Sequence, residues 1–316
     1  MKYAIISDIH GNIHAFKAVL SDAKKQGADM YLLIGDYFNS FPWGNEVADV
    51  IRSLGQATVI RGNGENYHIN LKNSNHNDWG NDQFKPIYWA YRSLSKENLE
   101  YITSLPETAT VADNGGIINL RHSLEIFFRS PKIEYFHSTE FRALMSKKPF
   151  THEEYLFLAR EALLSRPDAF MEIEALPEGA YLFGHNHLQF HMEYKGRIFI
   201  NPGSCGEALD WNTTASYTLL EYINNSWNIT ERRVKYDLNT VAEGLHSSGY
   251  AAYAPVWSKV MELELFTAKD YFYSFVLHIE KTRRKYNKTG HTAAEKDIWE
   301  AAVNSWDINT IITELI

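Results

Sequence analysis

The chain opens by alternating two hydrophobic periods. Tyr3-Ala4-Ile5-Ile6 is an apolar run of strand length, and Phe16, Val19, Leu20 and Ala23 then recur at helical spacing within Ile13 to Gln26. Gly27-Ala28-Asp29 stops that helix before a second strand over Met30 to Ile34. A helix from about Trp43 to Leu54, closed by Gly55, precedes a third strand over Ala57 to Ile60. The β-α-β-α-β order predicts parallel strands joined by right-handed crossovers. Ligands of such sheets gather beyond the carboxyl ends of the strands.

Further along, Glu65 to about Leu105 reads as a polar, mostly helical insertion. Thr108 to His122 predicts two short strands around Asn114-Gly115-Gly116. Glu140 to Ser165 predicts helix, with Thr151 and Glu154 arranged as a capping box. Ala180–Phe183, Arg197–Ile200, Tyr217–Tyr222 and Trp227–Val234 read as the second half of the sheet, the last two turning at Asn224-Asn225. From Leu238 to Ile316 the pattern is helical, and its aromatics at helical spacing predict a packed core. The chain therefore divides into residues 1–237, carrying the strands and the insertion at about 65–105, and a helical extension over 238–316.

Composition adds limits. With 45% hydrophobic and 22% charged residues, the 316-residue chain is an ordinary globular protein able to bury one large core and an appendage. A net charge of −8 argues against a broad nucleic-acid surface, which would be basic. The lone Cys205 cannot form an internal disulfide, and no run approaches the roughly 20 apolar residues of a membrane span. No basic, apolar and cleavage regions of a signal peptide precede the first strand. The expectation is a cytoplasmic protein without a membrane partner, in which the sequons at Asn225 and Asn228 carry no glycan.

The chemistry lies where the apolar runs stop. They lead into Ser7-Asp8-Ile9-His10, Gly35-Asp36, Arg61-Gly62-Asn63 and Gly184-His185-Asn186-His187, and His122 follows Ile117-Ile118-Asn119-Leu120. Taken singly, Asp8 and Asp36 read as helix N-caps and the histidines as structural residues. Together they supply mixed imidazole, carboxylate and amide ligands, a set suited to manganese, iron or zinc. In an extended segment, side chains two apart face the same way, so Asp8 and His10 could reach one ion, as could His185 and His187. Asp36 has two oxygens with which to bridge two cations, and Gly62 permits a sharp turn that aims Asn63. A water held between two such ions is a strong nucleophile towards phosphorus. Neither a Gly-rich phosphate loop nor a glycine-flanked nucleophilic serine occurs.

In this order, Ser7-Asp8-Ile9-His10-Gly11-Asn12, Gly35-Asp36, Arg61-Gly62-Asn63 and Gly184-His185-Asn186-His187 resemble the blocks of the calcineurin-like metallophosphoesterases. Asn201-Pro202-Gly203-Ser204 and Ala215-Ser216-Tyr217-Thr218-Leu219-Leu220-Glu221 resemble the compact bacterial and archaeal phosphodiesterase branch. The resemblance covers roughly residues 1–236. It implies a four-layer α-β-β-α sandwich, here with a helical C-terminal extension. It also implies two divalent ions, manganese first, with iron, zinc or nickel as alternatives. Asp8, His10 and His187 would hold one ion; Asn63, His122 and His185 the other; Asp36 would bridge. Asp36, Asn63 and His122 would be the catalytic group, with a metal-bridging hydroxide attacking a phosphodiester or phosphomonoester.

Two departures from the family pattern matter. Leu120-Arg121-His122-Ser123 replaces a more usual His-Gly pair, and Gly64 replaces a His or Cys after the third block, while Glu65 keeps the following acid. With Gly64 there, a leaving-group proton would come from water or from a nearby histidine such as His14 or His68. His14, His68, Arg61 and Asn12 are equally consistent with surface or supporting roles, and Cys205 with a buried small residue. The expected partner is a small phosphoester or nucleotide, and the extension offers a surface for oligomerisation. The alternative is a metal- or nucleotide-binding regulator that has lost turnover.

Overall fold

The strand β1 (Lys2–Ile6) buries both of its faces, which is why it reads as an unbroken apolar run. Tyr3 and Ile5 face a second sheet, whereas Ala4 and Ile6 face helices. Helix α1 (Ile13–Lys25) crosses to the parallel β2 (Met30–Leu33), and α2 (Gly44–Ser53) crosses to the parallel β3 (Ala57–Val59). The computed structural model describes residues 1–74, 80–113, 116–127, 141–142, 144–145, 148–164, 167–224, 226–286, 288 and 294–307. The predicted turn residues Asn114, Gly115 and Asn225 lie outside them, as do Glu140 and Ser165 at the ends of the predicted helix.

Between β3 and the next strand in the chain come α3 (Asn63–Lys72), α4 (Lys85–Ser93) and α5 (Lys96–Ser104), in the predicted insertion. The second sheet starts with the antiparallel pair β4 (Thr108–Asp113) and β5 (Gly116–Arg121). After α6 (His152–Leu164) and α7 (Pro167–Ala175) come β6 (Gly179–Leu182), β7 (Gln189–Tyr194) and β8 (Arg197–Pro202). The capping box forms: Glu154 N–H donates to Thr151 Oγ1 at 3.1 Å and Thr151 N–H to Glu154 Oε2 at 2.8 Å. The hairpin β9 (Ala215–Ile223) and β10 (Ser226–Val234) follows.

Two pairings differ from the sequence reading. The β9–β10 hairpin does not extend the second sheet; β9 runs antiparallel to β1, and the orders are β10-β9-β1-β2-β3 and β4-β5-β6-β8-β7. Strand β7 was not predicted, although Phe190 and Met192 are buried on one of its faces, with His191 and Glu193 on the other. Its alternation is masked by the adjoining histidine motif.

The result is four layers. Residues of both sheets, among them Ile5, Leu32, Ile118, Leu182, Ile200 and Leu220, form the central core. Helices α1 and α2 cover the first sheet, and α6 and α7 cover the second through Tyr155, Ile173, Phe190 and Phe199. The last part of the chain is helical: α8 (Leu238–Ser247), α9 (Tyr250–Tyr253), α10 (Pro255–Thr267), α11 (Tyr271–Lys285) and α12 (Lys296–Ser305). Trp257, Phe275 and Trp299 meet there edge-on or tilted, at centroid distances of 5.4–5.8 Å. That core also takes in Phe41, Trp43, Trp89 and Tyr236 from the preceding part of the chain. Among the described residues, no helix is long and apolar enough to cross a membrane.

Neither Asp8 nor Asp36 caps a helix. The cap of α1 is Asn12, whose Oδ1 accepts from Ala15 N–H at 3.1 Å while its Nδ2 donates to the Gly206 carbonyl at 2.9 Å. Fully buried, Asn12 ties the first block to the loop after β8. Asn12→Ala removes a cap worth about 1 kcal/mol and orphans a buried carbonyl at about 1–3 kcal/mol, so urea unfolding should show a loss of about 2–4 kcal/mol. An unchanged midpoint would refute this structural role.

Candidate metal centre

All five of the aspartates and histidines in the first, second and fourth blocks lie just past strand ends in left-handed backbone. Their φ values are 53° (Asp8), 51° (His10), 55° (Asp36), 71° (His185) and 60° (His187). The extended geometry expected for Asp8 and His10, and for His185 and His187, is therefore not the one present. Tight loops reverse the chain at each strand end, and backbone bonds between loops hold them. Asp8 N–H donates to Gly35 O and His10 N–H to Asp36 O, each at 3.0 Å. Gly184 N–H donates to His122 O at 2.9 Å, and Gly206 N–H to Asp8 O at 3.0 Å. Such conformations cost non-glycine residues about 1–3 kcal/mol each and persist where surroundings over-determine them.

The loops bring together two clusters. Asp8, His10 and His187 form one, and Asp36, His122 and His185 the other; within each, one ligand atom per residue lies within 4.8 Å of the rest. In the first, Nε2 of His10 and Nε2 of His187 are 3.1 Å apart, and Asp8 Oδ1 is 3.5 Å from the latter. His10 Nε2 is also 4.0 Å from Asp36 Oδ2, so Asp36 stands between the clusters. In the second, His122 Nε2 is 3.3 Å from Asp36 Oδ2 without a well-formed hydrogen bond. Asn63 begins α3 and lines the cavity beside Asp36 and His185.

Three of the imidazoles are aimed by their other nitrogen. Nδ1 of His10 meets the Phe38 carbonyl at 3.1 Å, that of His122 the Ile34 carbonyl at 2.7 Å, and that of His187 the Glu207 carbonyl at 2.6 Å. A carbonyl can only accept, so each Nδ1 carries a proton and each Nε2 is the atom turned inward. Convergent Nε2 atoms, an almost partnerless buried His122 Nε2 and two buried carboxylates fit divalent cations.

The charges are those of a site built around missing positive charge. Burial pushes the Asp8 carboxyl up to about 6. Burial would raise Asp36 as well, but the His122 imidazole beside it holds that carboxyl well below the usual range. Burial likewise opposes charge on His122, and Asp36 overrides it, raising the imidazole to about 10. His187 is driven well below its ordinary value by burial and by His10.

Several functional contributors carry no motif signal. Glu65, whose acid the sequence reading retained, is fully buried and accepts from Asp36 N–H at 2.9 Å, Tyr37 N–H at 2.8 Å and Gly62 N–H at 2.7 Å. It fastens the third block to the second. Glu207, which sequence reasoning missed, is buried, approaches His10 Nδ1 at 3.4 Å and bonds to Ser40 Oγ. Gly62 has an extended φ of −101°, so it is needed for close approach rather than for a turn: a Cβ there would overlap Asp36. A Cβ on Gly64 would meet Asn39 Nδ2 at 2.9 Å and Asp36 Oδ1 at 3.0 Å. Asn39 thus fills the space that a side chain after Asn63 would use.

Other singled-out residues do not reach the site. His14 packs edge-on against Trp43, and neither His14 nor His68 lines the cavity. His68 is buried beside Phe38 and Tyr91, and burial lowers its imidazole to about 4. Arg61 bonds to Asn66 and the Leu105 carbonyl, and Cys205 is a buried core residue. His76, His137 and His291 lie outside the described residues.

Comparison with known proteins agrees with this geometry. The model of the calcineurin-like phosphoesterase family matches residues 1–189. An uncharacterized protein of Methanocaldococcus jannaschii is 27% identical over 257 residues, spanning 76% of this chain and 90% of its own. A metallophosphoesterase from Sphaerobacter thermophilus superposes with a TM-score of 0.56 at 22% identity, covering 79% of this chain and 95% of the other. A hypothetical protein from Pyrococcus horikoshii gives 0.56 at 16% identity, covering 82% and 97%. These two structures share the α/β sandwich. With its family model matched over more than half its length and two ligand clusters at its strand ends, the chain belongs to the calcineurin-like phosphoesterase family and is a metal-dependent hydrolase.

Proposed function

We propose that the centre is dinuclear and hydrolyses a phosphodiester or phosphomonoester of a small molecule. Asp8, His10 and His187 would hold one ion, Asn63, His122 and His185 the other, with Asp36 between them. The observation that carries this reading is the pair of clusters at the floor of one cavity, with three imidazoles fixed by backbone carbonyls. Two divalent ions, when bound, would supply water activation and neutralise phosphate oxygens. The mixed donors suit manganese, iron, zinc or nickel, and the family resemblance puts manganese first. A single buried cysteine fits a reducing compartment such as the cytoplasm.

The protein's own groups would then orient the ester. Asn63 and Asn39 border the cavity next to Asp36, so their amides meet a phosphate lying over the clusters. With Gly64 bare, good leaving groups are favoured over poor ones.

Chelation should abolish hydrolysis of a chromogenic phosphodiester and of its monoester, and added Mn²⁺ should restore it above Zn²⁺ or Ni²⁺. Turnover that survives chelation would overturn the assignment. Asp36→Asn should lower kcat/KM by more than about 100-fold, because even groups that merely support a metal ligand cost about 10–100-fold; an unchanged rate would remove Asp36 from the centre. Metal analysis of the reloaded protein should give two ions per chain, and Asp36→Asn should lose at least one. A single ion in the wild type would rule out the dinuclear reading.

A further inference from the structure

The cavity above the clusters, about 420 Å³ in volume, is large enough for a drug-sized ligand and has two unlike ends. Its floor is polar and carries His10, Asp36, Asn63, His185 and His187. Its far wall comes from the C-terminal helices: Tyr250 on α9, Trp257 and Met261 on α10, Phe272 and Val276 on α11. Phe84 and Ile87 of the insertion face them. This wall is apolar. The Trp257 indole N–H is already used, donating to the Asp82 carbonyl at 2.9 Å, so its ring is what remains for a ligand. Among the described lining residues Arg142 is the one Lys or Arg, and it is paired with Asp270 at 2.8 Å and stacked on Tyr273 at 3.8 Å. An extended polyanion would therefore find little to neutralise it there.

One polar atom on the wall is unsatisfied. The Tyr250 hydroxyl is buried and has no hydrogen-bond partner, a state that costs about 1–3 kcal/mol unless a ligand relieves it. Tyr250 lines the cavity together with Glu207, which approaches His10 at 3.4 Å. Burial raises the phenol above its ordinary value, so the group stays protonated and donates. Gly64, directly after the third block, adds no side-chain donor beside it.

We propose that the C-terminal helices form the subsite for the organic group of the phosphoester, that this group is aromatic, and that Tyr250 donates a hydrogen bond at its junction with the phosphate. This rests on the phosphoesterase reading above. The aromatic ring packs against Trp257, Met261 and Phe272, and the ester oxygen or a phosphate oxygen accepts from Tyr250.

Calorimetry with two non-hydrolysable ligands sharing one anionic head separates the wall from the floor. Phenylphosphonate should bind the Mn²⁺-loaded protein at least about tenfold more tightly than methylphosphonate, because only its ring gains apolar burial. Met261→Trp or Val276→Phe fills the cavity and should bring that ratio to within about threefold of one. Should one of these variants fail to fold, the other reads the same ratio. Tyr250→Phe should leave thermal stability equal or higher, since it removes an unsatisfied hydroxyl, and should lower kcat/KM for an aryl phosphoester by about tenfold. Equal binding of the two phosphonates by a protein that does hydrolyse phosphoesters would overturn the subsite and leave the parent reading standing. Binding of neither, with no turnover of any ester, would overturn both.

Discussion

Buried carboxylates at the ends of strands need positive charge, and this need organises the molecule. Asp8 and Asp36 are 0% and 4% exposed, Asp36 lines the floor of a cavity, and Glu65 is fully buried behind it. In an apolar interior an unpaired carboxylate costs far more than any single packing contact returns. The protein meets part of the demand itself, with the His122 imidazole against Asp36 and backbone N–H groups against Glu65. The rest is assigned to cations. Each Nδ1 bond to a carbonyl turns its Nε2 towards the carboxylates, where a cation could meet it. That is a poor arrangement for a metal-free protein and a good one for a loaded one.

The same demand accounts for the backbone. Five non-glycine residues in left-handed conformations could not persist on local preference, which favours glycine there. They are held by bonds that run between loops rather than within them, such as Gly11 N–H to Tyr37 O at 2.7 Å and Cys205 N–H to Ser7 O at 2.9 Å. Each loop is therefore a support for another. Metal binding, which favours the folded state by mass action, would add directly to this network, so the stability of the strand ends and the occupancy of the site are one quantity.

Much of this was legible in the sequence because it is local. An apolar run that ends in Asp or His states its own period and its own chemistry, and the ligands predicted at Asp8, His10, Asp36, His122, His185 and His187 come together in two clusters. His122 stood out despite its altered surroundings because a strand end is a topological address, and it lies in the second cluster. What was not legible is non-local. Nothing in Tyr217–Tyr222 says that it pairs with β1 rather than with β8. Glu207 looks like any surface glutamate until the loop after β8 buries it beside His10. The left-handed turns were missed for a related reason: a side chain two residues on faces the same way only while the strand continues, and these strands have ended.

The aromatic residues after Leu238 show the limit most clearly. Their spacing announces a core, and Phe275 and Trp299 are just that, while Trp257 and Met261 belong to the same core and to the cavity wall. A helical period cannot distinguish the two, because a pocket lining is the part of a core left without a protein neighbour. Glu264 on α10 makes the connection tighter. It is buried, accepts from Phe272 N–H at 2.6 Å and lies beside Glu207, so burial and Glu207 together raise its carboxyl well above the ordinary range. Glu207 in turn approaches His10 Nδ1 at 3.4 Å. The helical extension thus reaches the floor of the cavity by a polar path as well as by its aromatic wall. A division of the chain at residue 237 separates two stretches of sequence, but the cavity is built from both.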